Sequence, residues 1–73
     1  MNENEKAELI AAAAEIDTGD TVGLIIDYES GGLNDAGVVA LFQSLVKSGL
    51  AWSLQGSYGR MAKALIDSGL VLA

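Results

Sequence analysis

Between Asn34 and Gly49, Val38, Leu41, Phe42, Leu45 and Val46 recur at helical spacing. That spacing makes a wide apolar stripe along one side of an α-helix predicted over 35–48. The ends are marked as well. Asn34 can accept hydrogen bonds from the free N–H groups of the first turn. Lys47 suits the negative end of the helix dipole, and Gly49 stops the helix. A second stripe, Met61, Ala62, Leu65 and Ile66, lies in a helix predicted over 58–68 and stopped by Gly69. The two stripes are expected to meet and form one core.

The rest of the chain also reads as helix. Leu9, Ala13 and Ile16 recur at helical spacing in residues 3–16, where Ala11–Ala14 favour helix and Glu3, Glu5 and Glu8 sit near the positive end. Residues 17–20 break the pattern. Residues 21–30 have the composition of a strand, but a lone strand would lack a partner. The expected element is a helix capped by Asp20, with Val22, Ile25, Ile26 and the stem of Glu29 on one stripe and Leu24 and Tyr28 on a neighbouring face. Gly31-Gly32 stops it. Residues 50–56 are expected to make one or two helical turns, with Gln55 or Ser57 capping the last helix. Leu70-Val71-Leu72 is an apolar tail expected to pack on the body or on another subunit. Residues 40–50 and 60–70 align at a spacing of 20, each helix ending in Ser-Gly-Leu, as if glycine reversed the chain and leucine folded back onto the last turn. Two uses of a common cap explain this as well as a duplication does.

The expected fold is all-α: about four short helices in one compact domain over 1–73. Residues 1–20 form the acidic first helix and turn, and 21–73 the helical core. Hydrophobic residues make up 51% of only 73, more than so small a chain hides easily. Oligomerisation is expected to complete the burial, as a homodimer or higher oligomer. There is no cysteine, histidine or proline, so neither a disulfide nor a thiolate nucleophile or ligand is available.

Charge is unevenly placed. Residues 1–36 hold nine of the ten carboxylates and one lysine, a net of −8; residues 37–73 hold Lys47, Arg60, Lys63 and Asp67, a net of +2. Opposite halves favour antiparallel packing or head-to-tail contact between subunits. Four basic residues argue against a direct nucleic-acid surface, and an acidic mimic of DNA ranks as a remote alternative. The acids before Ala11–Ala14 do not suit a signal peptide, and no run reaches membrane-spanning length. A cytoplasmic protein without membrane contact is expected.

Tyr28-Glu29-Ser30-Gly31-Gly32-Leu33, Leu41-Phe42-Gln43-Ser44-Leu45 and the run from Ser48 to Ala62 together resemble a family of small proteins encoded by tailed bacteriophages. The resemblance covers residues 24–71, and Trp52–Arg60 is its specific part. It implies a phage origin and the cytoplasm of an infected bacterium, and it brings no biochemical role.

Gln55, Gly56, Ser57, Tyr58, Gly59 and Arg60 are the candidate ligand or partner site. Two glycines allow close approach, a helix start leaves N–H groups free, and Arg60 suits a carboxylate or phosphate. The structural alternative is a tight turn packing Tyr58 on Trp52, with Arg60 paired to an acid of the first half. Trp52, Tyr28, Leu70, Val71 and Leu72 are the interface candidates, Trp52 being read first as a core residue or one shared between subunits. Asp17, Asp20, Asp27, Glu29 and Asp35 lack calcium-site spacing. Ser57 near Lys63 is too weak a pair for catalysis. No enzyme, metal or cofactor is expected. The expected function is protein binding, with docking on a host protein first. The alternatives are a self-assembling subunit, a binder of a small anion, and the DNA mimic.

Overall fold

The computed structural model describes residues 1–73. Four α-helices follow one another: α1 (Glu3–Ala14), α2 (Thr21–Glu29), α3 (Asp35–Ser48) and α4 (Gly56–Asp67). A single 3-10 turn, Leu50–Trp52, joins α3 to α4. The chain is all-α, as its apolar periodicity predicts.

Local chemistry fixes three of the helix starts. The side chains of Asn2, Asp20 and Asn34 accept from the N–H groups of Glu5, Gly23 and Gly37 at 2.8, 3.0 and 2.8 Å. Each satisfies one N–H group that a helix start leaves free. Gln55 stands at the cap position of α4 without a side-chain bond. That helix begins two residues earlier than expected, so Gly56 and Ser57 are helical.

The stops of α2, α3 and α4 share one device. Ser30, Ser48 and Ser68 each turn their hydroxyl back to the carbonyl three residues earlier, at 3.0, 3.3 and 3.0 Å. The next residue in each case is a glycine at φ near +81 to +84°, where a side chain would be strained. After Gly31 and Gly69 the chain folds back, Gly32 and Leu70 donating to the carbonyls of Asp27 and Leu65 at 2.7 and 3.0 Å. Leu50 breaks the 20-residue repeat. Its N–H faces the Ser48 hydroxyl at 3.4 Å, and its side chain is exposed while Leu70 packs on the core.

α3 is the hub. It packs against α1, α2, α4 and the 3-10 turn. Leu41, Phe42 and Leu45 are fully enclosed, with Val39, Ala40 and Val46 beside them. Ala13 comes from α1, Ala51 from the turn, Tyr58, Ala62 and Leu65 from α4, and Val71 from the tail. Both predicted stripes therefore share one core.

α2 corrects the expectation. Its Val22–Ile26 stripe faces outward, 68% and 60% exposed, while Leu24, Ile25 and Tyr28 pack inward. The helix carries large apolar side chains almost all round, so periodicity offers two faces. Aromatic packing selects one: Tyr28 meets Phe42 and Tyr58 edge-on, at centroid distances of 5.3 and 5.7 Å.

Candidate functional site

The six residues 55–60 do not form a glycine-rich loop. They are the start of α4, and their side chains diverge. Tyr58 points into the core, where its ring also stacks on Phe42 at 5.8 Å. Its hydroxyl donates to Glu29 Oε2 at 2.7 Å. Burial, and then the Glu29 carboxylate, push its phenol from 10.0 up to about 12. Tyr58 thus packs on Tyr28 and Phe42, not on Trp52 as the tight-turn alternative had it.

Gly59 faces the 3-10 turn. A Cβ there would stand 3.7 Å from the Ala51 carbonyl oxygen and 3.8 Å from Cε3 of Trp52. Over Gly56, the corresponding nearest atom is Nη1 of Arg60, at 3.2 Å. Arg60 therefore folds back along its own helix toward the N-terminal end. It makes no ion pair, so its expected pairing with an acid of the first half does not occur. The link between the halves is the Tyr58–Glu29 hydrogen bond instead. Both ion pairs are local: Lys6 with Glu3 at 3.7 Å, and Lys63 with Asp67 at 2.8 Å. The Asp67 hydrogen bond raises the pKa of Lys63.

The interface candidates separate. Tyr28 is half-buried in the aromatic cluster, Val71 is enclosed, and Leu70 packs on the core. Leu72 is 76% exposed, but its backbone is clipped down. Gln43 Nε2 donates to the Leu72 carbonyl at 3.0 Å, and Gln43 Oε1 accepts from the Leu72 N–H at 2.8 Å. Trp52 is 55% exposed, which corrects its reading as a core residue. The turn sends Ala51 inward and leaves the indole over Gly59, with Leu50 and Leu54 also exposed beside it in sequence.

Apart from Met1, Ile10 and Leu72, the exposed large apolar side chains fall into two groups. One is the Val22–Ile26 ridge. The other is the Trp52 turn. An apolar groove of about 540 Å³ also runs between α1 and α3, lined in part by Ile10, Ala14, Val39, Lys47 and Leu70. A smaller one lies near Met1, Leu9, Val38 and Met61. Neither includes any of residues 55–60. No three carboxylates converge to hold a metal ion, and every buried side-chain nitrogen and oxygen has a partner. No helix is long and apolar enough to cross a membrane.

These features define a small four-helix all-α domain with a closed core and exposed apolar ridges. Residues 17–73 match a family described as a domain of unknown function, DUF7417, and the chain belongs to that family. The match takes in α2 to the tail and leaves out α1. Among curated proteins and solved structures, none matches the chain.

Proposed function

We propose that this chain acts by binding protein, through the Val22–Ile26 ridge and the Trp52 turn. The observation that carries this reading is the exposure of Val22, Ile26 and Trp52 on a domain whose core is otherwise closed. Leaving large apolar side chains in water costs free energy that a partner surface recovers. Tryptophan in particular anchors interfaces. The resemblance to small phage proteins is the reason to seek the first partners among proteins of an infected bacterium.

The test is photo-crosslinking. A benzophenone side chain replaces Ile26 in one preparation and the exposed Glu8 in another, each incubated with bacterial lysate. The expected outcome is a discrete crosslinked protein from position 26, absent from position 8 and competed away by unlabelled wild-type chain. Equal, uncompeted labelling from both positions would overturn the reading. A small-anion site at Arg60 is the second reading, favoured by its unpaired guanidinium lying over Gly56 at the start of α4. It requires a rise in melting temperature with inorganic phosphate that Arg60→Ala abolishes.

A further inference from the structure

We propose that the occupant of the Val22–Ile26 ridge is a second copy of this chain, seated by its Trp52 and the basic side of α4. The inference rests on the protein-binding reading above and goes further by naming the partner and the pair of surfaces.

The argument is charge complementarity between two exposed apolar features of one chain. On α2, Val22, Ile26 and Glu29 recur at four and three residues and so share the outward face. The Asp20 carboxylate sits at the start of this helix, over Gly23. The ridge is thus apolar with an acid at each end, Asp20 accepting from the Gly23 N–H and Glu29 from the neutral Tyr58 hydroxyl, so that each keeps its negative charge. On α4, Gly56, Arg60, Lys63 and Asp67 share the solvent face, and Gly59 at its edge touches Trp52. Arg60 is unpaired, so this side keeps a net positive charge after Lys63 has met Asp67. The aromatic knob touches Gly59, which neighbours Arg60 in sequence and stands one helical turn before Lys63, and the aliphatic ridge lies between two acids.

Within one molecule these charges do not meet. Neither ion pair joins residues 1–36 to residues 37–73. The complementarity built into the chain is therefore left for contact between copies, where the two apolar features would also cover each other. Val22 and Ile26 stand about 6 Å apart as neighbours one turn along a helix, a spacing that receives an indole edge between them. Two such contacts between the same pair of copies give a two-fold dimer, and one per pair gives a chain.

The experiment is light scattering with sedimentation equilibrium on the full chain, at low and high salt. Wild type is expected at twice the 7.5 kDa chain mass or more, with added salt weakening the association. Ile26→Lys alone and Trp52→Ser alone are each expected at 7.5 kDa. Mixed in equal amounts they are expected to recover the dimer mass, because each keeps the surface the other lacks. Circular dichroism checks that both fold. If Trp52→Ser does not, the exposed Arg60→Glu takes its place. Wild type at 7.5 kDa, variants that still associate, or a mixture that stays monomeric would each overturn the inference. A monomeric wild type that still gives competed crosslinks to another protein from position 26 would overturn self-docking alone and leave the proposed function standing.

Discussion

Replacing Tyr58 by Phe removes one oxygen and leaves the ring in its place between Tyr28 and Phe42. The lost interaction is a 2.7 Å hydrogen bond from the phenol to Glu29 Oε2. Hydrogen bonds to charged groups contribute about 1.5–3 kcal/mol. Glu29 is exposed and rehydrates once released, so the loss lies at the low end, about 1.5 kcal/mol. For a domain of this length, that lowers the melting temperature by about 6–12 °C. The assay is thermal and urea unfolding of wild type, Tyr58→Phe, Glu29→Ala and the double variant. Because both single changes break the same bond, the double variant should cost less than the sum of the singles. Losses that add to within about 0.5 kcal/mol would refute the reasoning. A pH series gives an independent check. The unfolded phenol releases its proton near 10.0, and the folded one near 12. Below pH 10 the contribution is complete. Between 10 and about 12 deprotonation favours the unfolded chain, so wild-type stability falls. The gap between wild type and Tyr58→Phe should narrow over that window.

Other changes separate the roles of individual residues. Gly59→Ala should stabilise the domain by about 0.5–1 kcal/mol in urea unfolding, because Ala51 and Trp52 stand at ordinary contact distance and glycine is a poor helix former. Gly49→Ala should do the reverse, losing about 1 kcal/mol or more at φ +84°. Gln43→Ala should cost about 1 kcal/mol and raise amide exchange at Leu72, as both bonds holding the tail are lost. Asn34→Ala should cost about 1 kcal/mol by unfolding measurements, through the free Gly37 N–H.

What the chain discloses in one dimension is what its local chemistry decides. The α3 stripe, the Asp20 and Asn34 caps and the glycine stop at Gly31 involve residues a few positions apart, and each is legible. The inward face of α2 is not. Val22 and Ile26 stand one turn apart just as Leu24 and Tyr28 do, with Ile25 able to join either side, and only packing against Phe42 and Tyr58 turns Leu24, Ile25 and Tyr28 inward. For Trp52, composition favours burying the largest apolar residue, whereas the turn buries Ala51 and leaves the indole 55% exposed. The start of α4 at Gly56 is not legible, because glycine is a poor helix former and Gln55 makes no side-chain cap bond there. Of the candidate site, Tyr58 is legible in the sequence, but its partners are not. Glu29 lies 29 residues away, as does Leu72 from Gln43, and no local signal marks either pair.

α1 carries one further consequence. Family similarity begins at residue 17, yet Leu9 and Ala13 lie with Val39 along the seam where α1 rests on α3. The boundary of kinship and the boundary of the folding unit therefore differ by a whole helix. A fragment trimmed to the shared segment would leave one flank of the hub unroofed, and would report on a wetter, looser object than the intact chain.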